Sequence, residues 1–497
     1  MNDENQAADD LPEQVRVRRD KLDRLRASGV DPYPVGYPRT ALAADLHARL
    51  AGLAADVATG ERVGVAGRVM LSRIGGKLCF ATLRDGSGDI QVMLSLDRVG
   101  PDALAAWKSD VDLGDHVGVT GEVITSKRGE LSVLAESWAL TAKCLRPLPD
   151  KHKGMADPEA LVRRRYVDLI VNPEARRMLA VRSDAVRSVR ETLTGAGFVE
   201  VETPMLQAVH GGANARPFTT HMNAYDVDLF LRIAPELYLK RLAVGGIEKV
   251  FEINRNFRNE GADSTHNPEF TMLEAYEAYG DYDTMAVLTQ RLIQTAAVAA
   301  LGSTIVRQGD DEHDIGGEWR SVTVMAGLSE ALGTEVTADT PLAELTRLCD
   351  KADVPYDPAW TRGHVVLEMY EHLLEERTVL PTFYRDFPTE VSPLTRAHRR
   401  DPRLAERWDL VAFGTEIGTA YSELIDPVEQ RVRFTAQSLL AAGGDAEAMV
   451  VDEDFLLALE YAMPPTGGMG MGIDRLLMML TGRNIRESVL FPFVRPE

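Results

Sequence analysis

Cysteine is scarce. Cys79, Cys144 and Cys349 are the only three in 497 residues, and they lie far apart. No spacing among them suits a zinc knuckle or a redox dithiol, so a disulfide scaffold is excluded and a reducing, cytoplasmic setting fits. Long apolar runs are missing too, and none approaches the roughly 18 residues that a membrane span needs. The opening MNDENQAADD is acidic and polar, unlike a secretory signal, and residues 1–11 are expected to be disordered. Basic charge is in short supply: 55 Lys and Arg against 76 Asp and Glu leave a net charge of −21. That argues against a broad nucleic-acid-binding surface and leaves room for local basic patches, whose grip would weaken with salt. What is present, 45% apolar and 26% charged residues, is the composition of an ordinary globular protein long enough for two to four domains.

Along the chain, residues 1–60 read as a basic helical extension. PEQVRVRRDKLDRLRA spaces Val15, Leu22 and Leu25 on one face of a helix and carries Arg16, Arg18, Arg19, Lys21, Arg24 and Arg26. That basic face suits an RNA backbone and equally suits solvent. Residues 61–146 change to five short alternating runs separated by glycine turns, with a helical insert at 100–109. This is the pattern of a five-stranded, oligonucleotide-binding (OB) type β-barrel. Residues 147–171 read as a Pro-rich linker entering a helix, with Arg163, Arg164 and Arg165 facing either RNA or a partner subunit. From 172 to 497 the chain reads as one α+β domain, a sheet flanked by helices, with a helical insertion at about 281–400.

Within that domain, VFEINRNFRNEGADSTHNPEFTMLEAY, residues 250–276, reads as strand, loop and strand. Arg258 and Glu260 fall at the lip of this hairpin, and His266 and Asn267 on its return. Phe270, Glu274 and Tyr276 are spaced by even numbers, so they share one face of the second arm. A fixed guanidinium suits a phosphate or carboxylate, an aromatic face suits a purine, and a carboxylate beside a phenol suits an amine. A nucleotide and a cationic substrate are therefore implied together. Farther on, WDLVAFGTEIGTAYSELIDP sets Asp409, Glu416 and Glu423 in strand-like surroundings. Such clustered carboxylates bind Mg²⁺ or a cation, or merely add to surface acidity.

FRNE followed by HNPEFTMLE resembles motif 2 of the class II aminoacyl-tRNA synthetases, in the form found in the lysine enzymes. The long helix from Pro173, the strand FVEVETPML and Pro204 resemble motif 1, which forms the dimer interface in that family. GGMGMGIDRLLMMLTG, with Arg475, resembles motif 3. The resemblance runs nearly the whole chain. It implies a class II antiparallel-sheet catalytic domain behind an anticodon-binding barrel, and a lysine–tRNA ligase reaction through lysyl-adenylate, with ATP, L-lysine and tRNA as substrates and Mg²⁺ as cofactor. It also implies a homodimer.

Residue by residue, the resemblance gives Arg258 the catalytic role at the reacting carboxylate and phosphate. Glu260, His266, Asn267, Phe270 and Arg475 join it around ATP. Gly212 and Glu236 take the α-amino group of lysine; Glu274, Tyr276, Thr419, Tyr421 and Glu423 take the rest of the amino acid. Asp409 and Glu416 hold the metal. Arg73, Phe80, Gln91 and Glu130 read the anticodon. Two positions depart from the family pattern: Asp409 where Glu is usual, and Thr419 where Asn is usual. Other readings are a ligase for a different amino acid, a relative that lysylates protein, and a non-catalytic single-strand-binding protein. Two acidic groups in the pocket disfavour aspartate as substrate, and relatives that modify protein typically lack the barrel.

Overall fold

The computed structural model describes residues 12–149, 157–442 and 449–495. The expectation for residues 1–11 lies outside them, as does part of the expected linker. The chain forms two compact units that meet at Ala156/Asp157.

In the first unit, the strands Ala58–Ile74, Leu78–Arg84, Asp89–Ser95, Leu131–Ala142 and His116–Thr125 close in that order into a barrel. The period-2 pattern sends Cys79, Ala81, Leu83, Ile90, Val92 and Leu94 inward to a core shared with Trp107, on the inserted helix Pro101–Asp110. The outer face of the first three strands then carries Arg73 directly opposite Phe80 and Thr82 opposite Gln91. The helix Glu13–Ala27 is less free than its basic composition suggests. Arg18 is buried and donates to the carbonyls of Cys144 and Arg146, and Lys21 Nζ lies 2.7 Å from Asp112. Arg16, Arg19, Arg24 and Arg26 stay exposed.

The second unit is built on an eight-stranded sheet. Its order is Arg320–Thr323, Thr382–Pro388, Leu404–Ala412, Thr415–Ser422, Thr466–Gly472, Glu269–Ala278, Lys249–Phe257 and Val199–Glu200. Pairing is antiparallel across the six central strands and parallel at the two edges. One face is apolar. Phe251, Leu273, Ala275, Leu410, Ile417, Met469 and Met471 pack against the helices Pro173–Gly195, Tyr282–Leu301 and Ile473–Thr481. Because side chains alternate along a strand, the neighbours of these residues point to the opposite face, and that face carries the site.

Several expectations are corrected. The segment 281–400 is not one insertion: Tyr282–Leu301 is a core helix, and Arg320–Thr323 and Thr382–Pro388 are strands of the main sheet. The helices between them, from Val324–Leu332 to the π-helical turn Glu371–Glu375, pack with Tyr384, Phe387 and Val411 of the sheet in a second apolar cluster. Tyr282–Leu301 is apolar and long enough to cross a bilayer, but Met285, Leu292, Ile293, Ala296 and Ala297 bury one side of it in the core. The expected strand FVEVETPML, residues 198–206, is split: Val199–Glu200 joins the main sheet and Leu206–Gln207 joins a separate three-stranded sheet, with Pro204, which cannot donate to a ladder, between them. Arg165 does not face outward. It is buried against Asp168 at 2.8 Å and donates to the carbonyls of Leu490 and Arg486.

Candidate active site

The hairpin forms as its sequence suggests. Lys249–Phe257 pairs with Glu269–Ala278 in unbroken register, Glu252 opposite Glu274 and Phe257 opposite Glu269. Phe270, Met272, Glu274 and Tyr276 line a cavity of about 440 Å³ on the polar face of the sheet. Every residue expected around ATP and the amino acid lines it: Arg258, Glu260, His266, Asn267, Phe270 and Arg475, and Gly212, Glu236, Glu274, Tyr276, Thr419, Tyr421 and Glu423. Glu416 lines it too, and Asp409 does not.

One end of the cavity is buried and acidic. Glu236, Glu274, Glu423 and Tyr276 are each at most 5% exposed. Tyr276 donates to Glu274 Oε2 at 3.0 Å. Burial, and then the neighbouring Glu236 charge, hold the Glu274 carboxyl well above the usual range. Burial likewise pushes Glu423 up to about 8, against the pull of Lys240. Two glycines make room here. Gly212 sits at φ +89, and a side chain there would press on Glu236 and Ala234 at 3.0 and 3.1 Å. A Cβ on Gly468 would lie 2.0 Å from Glu423 Oε1 and 2.5 Å from Tyr276 Cε1.

The other end is open and mostly basic. The Arg258 guanidinium lies 5.1 Å from the Phe270 ring centroid, on the side of a cation–π contact. Arg475 donates to the Glu416 carbonyl at 2.8 Å, with its guanidinium 3.9 Å from the Glu416 carboxylate and 3.4 Å from His266 Nε2. Asn267 borders this end, but its amide is already engaged: Nδ2 donates to the Glu269 carbonyl, and Oδ1 accepts from Phe493 N at 3.1 Å. It fastens the C-terminal segment to the hairpin.

Asp409 takes a different place from the one expected. It is 1% exposed, gripped by Arg407 through two bonds of 2.9 and 2.7 Å, and accepts from Thr419 Oγ1 at 2.7 Å. Asp409 and Thr419 are cross-strand partners. The two positions that depart from the family pattern are thus bonded to each other across the strand pair. Glu416 instead has acidic company from the π-helical turn, which sequence periodicity at 3.6 does not reveal. Glu371 lines the cavity, and Glu375 accepts from the Glu416 backbone N at 3.0 Å, its carboxyl pushed up to about 8 by burial and the Glu416 charge.

Sequence reasoning also missed the joint that ties the three motif segments together. Asp474 accepts from Thr271 N at 2.7 Å and from Arg182 at 2.6 Å, and Arg182 also donates to Thr271 Oγ1 at 3.0 Å. One buried carboxylate thus links the long helix, the hairpin and the helix after the glycine strand.

In the barrel, Phe80 and Gln91 are half-buried on the outer face, and Arg73 and Glu130 are exposed. Gln91 donates to Ser132 Oγ at 2.7 Å, which in turn donates to the Glu130 carbonyl at 3.0 Å. These four residues share one side of the barrel.

Comparison with known proteins agrees with this geometry. The family model of class II tRNA synthetases (D, K and N) matches residues 157–495, and that of the OB-fold nucleic acid binding domain matches residues 63–141. The chain is 58% identical over 491 residues to a lysine–tRNA ligase of Kineococcus radiotolerans, covering 98% of both chains. It is also 59% identical to the lysylphosphatidylglycerol biosynthesis bifunctional protein LysX of Nocardia farcinica, and 58% identical to that of Rhodococcus opacus. In each case 98% of this chain spans 43% of the relative's length. The sheet, the three joined motif segments, the barrel and these matches together establish that the chain belongs to the class II tRNA synthetase family, in its aspartate, lysine and asparagine group.

Proposed function

We propose that the protein is a lysine–tRNA ligase of the cytosol: it activates L-lysine with ATP and transfers it to the 3′ end of tRNA. The observation that carries this reading is the pairing, in one cavity, of a buried amine end holding Glu236, Glu274 and Glu423 with a guanidinium end holding Arg258 and Arg475. Lysine bears two ammonium groups and a carboxylate, and such a cavity can take all three. An uncharged competitor would leave buried carboxylates unpaired.

The chemistry is mainly positioning and charge stabilisation. A lysine carboxylate oxygen attacks the α-phosphorus of ATP, the bond to pyrophosphate breaks, and lysyl-adenylate forms. The tRNA hydroxyl then attacks the lysyl carbonyl and AMP leaves. Arg258 binds the carboxylate and α-phosphate and offsets the growing negative charge. Phe270 and Arg475 flank the adenine, and His266 and Glu260 border the phosphates. No side chain acts as nucleophile. Mg²⁺ neutralises phosphate charge when bound with ATP. Glu416 is suited to hold it, whereas Asp409 is engaged by Arg407 and Thr419 and does not line the cavity.

Amino-acid-dependent ATP–pyrophosphate exchange, scanned over the standard amino acids, tests the reading. Exchange with lysine alone is expected, and exchange with another amino acid or none would overturn it. Arg73, Phe80, Gln91 and Glu130 are proposed to read the anticodon: Phe80→Ala should spare exchange while slowing tRNA charging about tenfold, since stacking on an aromatic is worth about 1–3 kcal/mol. Dimerisation around Pro204 is proposed as well. It is supported by the exposed Val199 and Leu206 beside that residue.

The likeness to the LysX proteins favours a second reading, in which the activated lysine is destined for phosphatidylglycerol. Incubation with labelled lysine, ATP, tRNA and phosphatidylglycerol vesicles separates the two. Label on tRNA alone supports the first.

A further inference from the structure

Lys240 is a buried cation that the proposed reaction does not use. It lies one helical turn after Glu236 on the helix Glu236–Val244, its side chain is fully buried, and it does not line the cavity. Its Nζ stands 2.6 Å from Glu236 Oε1 and 2.5 Å from Glu423 Oε2. Those two carboxylates arrive from separate elements, the helix start and the end of the strand Thr415–Ser422, and both face the cavity. Glu423 Oε1 has no hydrogen-bond partner among the described residues and occupies the room that the absent side chain of Gly468 provides. One ammonium thus clamps the back of two carboxylates whose fronts are left for a ligand.

We infer that Lys240 is a specificity-determining positioning residue: it fixes Glu236 and Glu423 as a pair and sets the charge of the pocket to match a substrate with two ammonium groups. The inference rests on the lysine reading above. The count is direct. With the ligand bound and all three carboxyls ionised, Glu236, Glu274 and Glu423 carry three negative charges and Lys240 one positive, leaving two for the α- and side-chain ammonium groups of lysine. Without Lys240, two carboxylates held within reach of one point would repel, and one would keep a proton. The groups facing Lys240 and this pair are Glu236 on its own helix, Tyr421 and Glu423 on and just after the strand Thr415–Ser422, and Glu274 and Tyr276 on Glu269–Ala278, with Arg232 and Glu252 acting on Glu274. A neutral residue at 240 therefore shifts the protonation of the amine end while leaving the nucleotide end untouched.

The test is steady-state pyrophosphate exchange by the full chain. Lys240→Met should raise the KM for lysine at least tenfold and leave the KM for ATP within twofold. It should also move the acid limb of kcat/KM for lysine to higher pH, and Lys240→Arg should recover part of the loss. A lysine KM within twofold of the unmodified protein, or parallel losses for lysine and ATP, would overturn the inference. Removing one member of a buried pair destabilises the fold more than removing both, so Lys240→Met is also made on a Glu423→Gln background. There, loss of Lys240 should add less than twofold to the lysine KM, and a further tenfold rise would refute the clamp. If the unmodified protein shows no lysine-dependent exchange, the functional reading fails first. If it does and the variants behave like it, this inference fails alone.

Discussion

The two ends of the cavity are built on opposite plans. At the amine end Glu236, Glu274, Glu423 and Tyr276 are at most 5% exposed, and Lys240 and the Tyr276 hydroxyl fix their positions before any ligand arrives. At the nucleotide end the side chains are 26% exposed for Arg475, 35% for Glu416 and 51% for His266, and the contacts among them reach 3.4 and 3.9 Å. On the proposed lysine–tRNA ligase reading, the difference follows from what each end must accomplish. Choosing one amino acid among similar ones requires buried, unpaired charge that only the right ligand completes. Binding a triphosphate requires strong cations, and these act even where water has access. Selectivity is therefore prebuilt, whereas nucleotide contacts are left to tighten on binding.

Arg258 bridges the two plans, being half-buried beside the open loop, and its loss should have the largest effect. Arg258→Ala should lower kcat for pyrophosphate exchange by about 10²–10³-fold, the range for removing one donor to developing charge. Circular dichroism and a thermal melt would verify that the fold survives. A loss under tenfold would place transition-state stabilisation elsewhere. Glu423→Gln should come next and should divide the ends cleanly. It should raise the lysine KM by roughly 30- to 150-fold, the equivalent of about 2–3 kcal/mol for an unpaired buried charge, with the ATP KM unchanged. Equal changes in both constants would erase the distinction.

How much of this was readable beforehand follows the same division. The hairpin and its lining residues were legible because strand alternation sends every second side chain to one face, and Phe270, Glu274 and Tyr276 keep that beat. The barrel was legible for the same reason. Asp409 was misjudged because its partner is a neighbour in space: Thr419 lies ten residues away in sequence but directly across the strand pair. Lys240 was invisible because nothing in ELYLKRL distinguishes it from a surface lysine, and only tertiary packing turns it inward. Glu371 and Glu375 were hidden by the π-helical turn, which shifts their direction relative to a regular helix. Patterns local to one element survive in sequence; contacts made between elements do not.

Gly468 provides a finer test of how rigid the amine end is. In Gly468→Ala the new methyl would fall 2.0 Å from Glu423 Oε1 and 2.5 Å from the Tyr276 ring, so both must move. Overpacking of this kind costs about 1–3 kcal/mol, and the lysine KM should rise about tenfold with ATP unaffected. If lysine binds normally, the amine end yields more readily than its burial suggests.

The smallest effect separates the ends by pH alone. The lysine side chain stays an ammonium throughout the neutral range, so affinity at this end follows the ionisation of its carboxylate partner. Glu423 is pushed up to about 8 by burial, so below that pH the empty pocket holds a proton that the ligand must displace. Raising the pH deprotonates Glu423 and favours binding. The ionised fraction grows about fivefold between pH 7 and 8, and the KM for lysine should fall by about that factor while the KM for ATP stays level. The dependence should vanish in Glu423→Gln, which has nothing there to titrate. If it persisted, the titrating group would be another member of the cluster, with Glu274, the other buried carboxyl held well above its usual range, as the next to replace.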